Sequence, residues 1–342
     1  MTHRCDALLV GAGIMGATLA QLLRQLDPAL NVVVLERLPV LAAESSAALN
    51  NAGTGHAANC ELNYTPQAAD GSIPIAKALS INSAFELSLQ FWSALVEQGV
   101  LQDPAAFIRA VPHLSFVWGE ANVDFLQRRW QALNASPQFA GMQMSGDVAQ
   151  LREWMPLVME GRNLDQPLAA TRVARGTDVN FGALTVALLQ GVEVRLSHEV
   201  VGLERGGAGW LVQARCAGGG SATFEAPFVF LGAGGGALPL LQRSGIPESR
   251  RYGAFPVSGQ WLVCRNPEVI ARHDAKVYGK AAVGAPPMSV PHLDTRWIDG
   301  QRALLFGPYA GFSTRFLKQG SLWDLGRSVK PFNLLPSLQA VS

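Results

Sequence analysis

The chain opens with an apolar run over residues 5–10 that reads as a buried strand. It breaks at Gly11-Ala12-Gly13-Ile14-Met15-Gly16, and residues 16–26 then carry leucines at 19, 22, 23 and 26, the spacing of one helix face. Residues 31–35 read as a second strand, and Glu36 follows directly, twenty residues past the last glycine. Residues 84–98 and 123–134 have helical spacing, and 110–118 between them reads as a strand. After them come a helix over 181–189, a strand over 192–196, and two alternating antiparallel strands over 199–203 and 210–215 joined by Gly206-Gly207. Residues 228–231 are wholly apolar and run into Gly232-Ala233-Gly234-Gly235-Gly236. Strands are predicted again over 257–264, 276–283 and 303–306, with polar and aromatic residues between them that suit a pocket floor.

The order strand, glycine turn, helix, strand, acid has a physical purpose. Gly11 and Gly13 let backbone N–H groups approach a pyrophosphate, Gly16 lets the helix pack on the strand, and the helix N-terminus attracts the anion. Glu36 is placed to accept hydrogen bonds from a ribose 2′-OH. These four residues point to FAD or NAD and do not choose between them. Gly232 and Gly234, at the end of another strand, are expected against the same cofactor at the carboxyl ends of a parallel sheet. The segment 44–56 is too polar for a core element and too long for a simple turn. Its Ser45, Ser46, Asn51, Gly53, Thr54, Gly55 and His56 could surround a phosphate and a flavin ring with donors.

Length and composition narrow the class. At 342 residues, 49% hydrophobic and 15% charged, with 35 glycines and 20 prolines, the chain suits a two-domain α/β enzyme and not a disordered protein. Its 27 basic and 26 acidic residues form no basic block, which excludes nucleic acid as a partner. Cys5, Cys60, Cys216 and Cys264 are scattered, with no metal-ligand spacing, as in a reduced cytoplasmic protein. The apolar N-terminal run belongs to the glycine fingerprint, not to a signal peptide. No uninterrupted run of about 18 apolar residues offers a membrane span.

The polar segment also carries a resemblance. Asn50-Asn51-Ala52-Gly53-Thr54-Gly55-His56, followed by Cys60-Glu61-Leu62-Asn63-Tyr64-Thr65-Pro66, closely resembles the malate:quinone oxidoreductase family. Residues 176–185, 230–239, 255–260, 276–296 and 307–316 resemble that family in the same order, across essentially the whole chain. The resemblance implies a Rossmann-like FAD-binding domain of the two-dinucleotide, amino-acid-oxidase type, over 1–83 and 170–250. It implies a second, mixed α+β substrate domain over 84–169 and 251–342. It further implies FAD-dependent oxidation of (S)-malate to oxaloacetate, a tricarboxylic acid cycle step, with electrons passed to a membrane quinone. The enzyme would then sit peripherally on the inner face of the cytoplasmic membrane.

A dianionic substrate wants arginines. Arg296 and Arg315 are the first candidates, and Lys280 and Tyr278 the weaker ones. Among six histidines, His292 stands close to Asp294 and Arg296 and is the preferred base; His56 is assigned to the flavin environment. Family members run well past the position of Ser342, with a further glycine-rich flavin-contacting segment. On that comparison the chain reads as C-terminally truncated, with weaker FAD retention than a full-length relative. The competing readings are a flavin oxidase of another 2-hydroxy or amino acid, a nucleotide-binding remnant without turnover and, last, a nicotinamide dehydrogenase.

Overall fold

Ala7–Val10 and Val32–Leu35, all eight residues buried, pair in parallel, and helix Ile14–Leu26 makes the crossover between them. Phe228–Leu231 adds in parallel on one side of this pair and Glu193–Arg195 on the other, giving a four-stranded parallel sheet. A continuous apolar stretch such as Val-Val-Val-Leu is what a strand covered on both faces requires. One cover is helical, where Ile14–Leu26 packs on Phe181–Leu188. The other is an antiparallel meander of His198–Gly206, Gly209–Cys216 and Ser221–Ala226, with Thr2–Arg4 in parallel on its edge. Leu8, Val33 and Leu35 meet Val200, Val212 and Phe224 between these layers. Each such side chain contributes about 1.5–3 kcal/mol by leaving water.

A computed structural model describes residues 2–207, 209–281 and 290–339. It divides the chain into two compact units. The first takes Met1–Asn51, Phe181–Ser258 and Phe312–Ser342, and the second takes Ala52–Asn180 and Gly259–Gly311. The α/β first unit with a mixed second unit is the fold expected of the sequence. Residues 52–83, expected with the nucleotide-binding segments, group with the second unit, because Ala58 and Ala78 pack there with Leu133, Phe139 and Val173.

The second unit is built on a seven-stranded sheet. Its order is Val257–Cys264, Gln301–Phe312, His292–Ile298, Lys276–Tyr278, His113–Trp118, Leu168–Val173, Gln143–Ser145. Lys276–Tyr278 and His113–Trp118 run in parallel, while the pairings on either side of them are antiparallel. Helices Ala76–Glu97 and Glu120–Asn134 cover it. The single strand expected over 110–118 is two. Pro112, which lacks an N–H, separates Ile108–Ala110 from His113–Trp118, and each half pairs with a different partner. The strand expected over 303–306 runs the full length of Gln301–Phe312, and the one expected over 276–283 ends at Tyr278. Residues 282–283 of that reading lie outside the described residues, as do 284–289 and 340–342.

Candidate functional site

The glycine fingerprint forms one wall of a cavity of about 820 Å³ in the first unit, within the usual size of ligand pockets. Gly11 has φ +105°, and a Cβ there would lie 2.5 Å from the Gly232 carbonyl oxygen, so the two glycine clusters meet backbone to backbone. A Cβ on Gly16 would collide with the Gly11 carbonyl, the close helix–strand approach expected of the third glycine. Ile14 N–H, at the start of the helix, donates to Ser46 Oγ at 3.0 Å. The Glu36 carboxylate lines the cavity and accepts from Ala12 N–H at 2.9 Å and Leu38 N–H at 2.8 Å. Ser45, Gly13 and Gly234 line the same space. Asn51 does not: its Nδ2 donates to the carbonyls of Ser45 and Ala47, bracing the loop from within.

Residues far along the chain close the cavity. Glu44 accepts from Lys318 N–H at 2.7 Å and Gln319 N–H at 3.2 Å, and Arg37 Nη2 pairs with the same carboxylate at 3.2 Å. This latch holds Phe316, Leu317, Gln319, Gly320 and Ser321 in the cavity wall. Gly235 must be glycine, because a Cβ there would collide with the Phe316 carbonyl.

A second cluster lies within the second unit. His292, Asp294 and Arg296 alternate on one face of strand His292–Ile298. Asp178 Oδ1 lies 2.7 Å from Arg296 Nε and 2.9 Å from Lys276 Nζ, and its Oδ2 accepts from Trp297 N–H at 2.7 Å. Lys276 also donates to Ala52 O at 2.8 Å and stands 4.0 Å from Asp294. Asp294 Oδ2 is 2.8 Å from His292 Nδ1. Lys276, Asp294 and Arg296 are 0% exposed and Asp178 1%. Such ions persist in low dielectric only because two carboxylates balance two cations. Burial by itself would raise the Asp294 carboxyl, but His292, Lys276 and Arg296 outweigh it and hold it below its ordinary range.

The second half of the polar segment lines this cluster instead of the cavity. Gly53, at φ +57°, leaves room for the Arg296 guanidinium, and any Cβ would overlap it. Thr54 Oγ1 shares a 2.7 Å hydrogen bond with Tyr278 OH, and the Tyr278 ring stacks on His292 at 3.8 Å. Gly55 packs under Thr177 and Phe85. His56 pairs with Glu61 at 2.6 Å.

The His56–Glu61 pair gives the fold a pH dependence. Burial would raise Glu61, yet the His56 bond and charge outweigh it and hold the carboxyl at about 2 against an ordinary 4.5. His56 loses some affinity for its proton to burial and gains more from Glu61, so it titrates above 6.5. The depressed acid stabilises above pH 4.5 and loses that contribution toward pH 2; the raised histidine stabilises below 6.5 and loses it above its own shifted value. Glu61→Gln should therefore lower the urea midpoint most near about pH 5.5, with the difference from the parent shrinking toward both acid and alkaline pH. A constant difference across pH would show that the pair is not the source.

Two sequence expectations need correction. Arg296, expected as a clamp on a soluble substrate, exposes no surface and holds Asp178 as a buried counter-charge. Arg315 is exposed and belongs to the first unit, where it donates to Lys318 O. Lys280 is likewise occupied, donating to Asn122 Oδ1 at 3.0 Å with its Nζ 4.0 Å from the Phe125 ring centroid. Sequence reasoning missed Asp178, Lys276 and Glu61, and it passed over His113. His113 is buried against Thr177 O at 2.9 Å, and burial pushes its titration down. Gly176 permits that approach, because a Cβ would collide with the His113 ring.

Comparison with known proteins decides the family. The profile "Malate:quinone oxidoreductase (Mqo)" matches residues 3–342. This chain belongs to the malate:quinone oxidoreductase family. A probable malate:quinone oxidoreductase of Synechococcus sp. (strain RCC307) is 63% identical over 346 residues, covering 99% of this chain and 72% of the relative. Among solved structures, glycine oxidase from Geobacillus kaustophilus has a TM-score of 0.62 at 18% identity, over 91% of this chain and 72% of that one. A dithionite-reduced L-α-glycerophosphate oxidase from Mycoplasma pneumoniae, with FAD bound, has a TM-score of 0.58 at 16% identity, over 91% and 72%. These two likenesses concern the fold. FAD is the cofactor of a malate:quinone oxidoreductase, and the side-chain-free glycine cradle beside Glu36 fits a dinucleotide. Among the described residues, no group of three or more His, Cys, Asp or Glu is placed to hold a metal, and no helix is long and apolar enough to cross a membrane.

Proposed function

We propose that this malate:quinone oxidoreductase oxidises (S)-malate to oxaloacetate, with FAD as first acceptor and a membrane quinone as second. The observation that carries the residue assignment is the His292–Asp294 pair, set in a buried cluster with Asp178, Lys276 and Arg296. The first unit is the FAD-binding domain and the second the substrate domain. Gly11, Gly13, Gly16, Ser45, Ser46, Gly232 and Gly234 hold the dinucleotide, and Glu36 binds its ribose. Bound FAD supplies the acceptor for the hydrogen and two electrons that leave malate C2. His292 takes the hydroxyl proton. Arg296 and Lys276 stand behind it, paired with Asp178, and hold the cluster together.

A quinone acceptor dissolves in lipid, so the enzyme works in peripheral contact with a membrane, on the inner face of the cytoplasmic membrane. Co-sedimentation with quinone-containing vesicles tests that contact, and a protein that stays in the supernatant at low salt would refute it.

His292→Gln should lower malate-dependent dye reduction by about 10²–10⁴-fold while FAD stays bound. An unchanged rate would remove His292 from the reaction.

A further inference from the structure

The groups around His292 do more than surround it. On its own strand stands Asp294, 2.8 Å from Nδ1. From the neighbouring strand come Lys276, 4.0 Å from that carboxylate, and Tyr278, stacked on the ring. Strand Val257–Cys264 contributes Trp261, edge-on at 5.2 Å. Opposite in register is Gly307, which has no side chain. Other ionisable groups that act on this cluster are Glu61, Cys60 and His56 from the loop after Thr54, together with His113 and His273.

We infer that Asp294 is a positioning residue for malate oxidation: it holds His292 with the proton on Nδ1, so that Nε2 is the nitrogen that takes the substrate proton. This rests on the reading of His292 as the base. A neutral imidazole has one donor and one acceptor nitrogen, and the nitrogen facing a carboxylate is the donor. Tyr278, which Thr54 in turn holds by its hydroxyl, fixes the plane of the ring by stacking, and the close approach of Asp294 to Nδ1 selects the ring's orientation within that plane.

The charges reinforce this assignment. Asp178 pairs with both Arg296 and Lys276, and with Asp294 the four ions sum to zero when His292 is neutral. A proton arriving at Nε2 creates one positive charge beside Asp294. In the balanced step the malate O–H bond breaks, its proton moves to Nε2, and the C2 hydrogen leaves with both electrons to the flavin. Lys276 and Arg296 help keep Asp294 ionised before that proton arrives.

The test is a double-mutant cycle on the FAD-loaded protein, with malate-driven bleaching of the flavin followed by stopped flow across pH. Asp294→Asn should slow bleaching by about 10²-fold, with little change in the malate concentration at half-saturation. In the His292→Asn background the same change should cost nothing further, because the residue through which it acts is gone. Equal losses in both backgrounds would overturn the inference while leaving His292 as base. No loss from His292→Asn alone would instead overturn the underlying reading. Should Asp294→Asn fail to fold, Lys276→Met decides. Removing that positive charge should move the acidic limb of the rate profile to higher pH, and an unmoved limb would overturn the inference.

Discussion

Asp178→Ala should be the most destabilising single change in the second unit, lowering its stability by about 3–5 kcal/mol. The reason is the number of partners that one side chain satisfies. Its two oxygens face Lys276 Nζ, Arg296 Nε and Trp297 N–H, all within 3 Å, and both cations are shut away from solvent. Alanine would leave two cations buried with only Asp294 to balance them, and Asp294 already faces His292. Removing one partner of a buried ion pair costs far more than the pair itself contributes, because the survivor cannot recover its hydration. Urea denaturation followed by tryptophan fluorescence would measure the loss. A midpoint within about 1 kcal/mol of the parent would mean that water reaches the cluster.

The second large effect concerns the cofactor. Gly11→Val should give a folded protein that purifies colourless, with FAD affinity reduced more than about 100-fold, equivalent to about 2.7 kcal/mol. Two obstacles add at this position. A φ of +105° is strained for any residue with a Cβ, and that Cβ would sit 2.5 Å from Gly232 O. Relief requires the two glycine clusters to separate, which moves the backbone N–H groups that would face a pyrophosphate. The ratio of flavin to protein absorbance reports the outcome. Stoichiometric FAD in the variant would show that the cofactor does not depend on this cradle.

The nucleotide end of the molecule was legible because its logic is local. Strand, turn, helix, strand and acid follow one another without interruption from Ala7 to Glu36, and the pattern of apolar positions places each of them. The charged cluster was hidden for the opposite reason. Asp178, Lys276 and Asp294 come from three strands joined only by tertiary pairing. His292, Asp294 and Arg296 alternate as a polar face does on an exposed strand, and nothing in the alternation says that the face is buried. Leu168–Val173, a central strand, escaped because Leu-Ala-Ala-Thr-Arg-Val is weak in β-branched and aromatic residues. The polar segment 44–56 was rightly singled out. Its division at Asn51 could not be seen, since glycines and asparagines read alike on either side.

The Glu44 latch bears on how the protein is made. Residues 316–321 complete a cavity whose opposite wall is Gly11 to Met15, and the parallel sheet beneath needs Phe228–Leu231 beside Ala7–Val10. A ribosome that has produced only the first 200 residues has released a fingerprint without a pocket. Apolar strand edges are then open, and the chain needs protection from self-association until the later segments emerge. Supplying riboflavin during expression would therefore act late, by trapping chains that have already closed the latch, and not by guiding the nascent N-terminus.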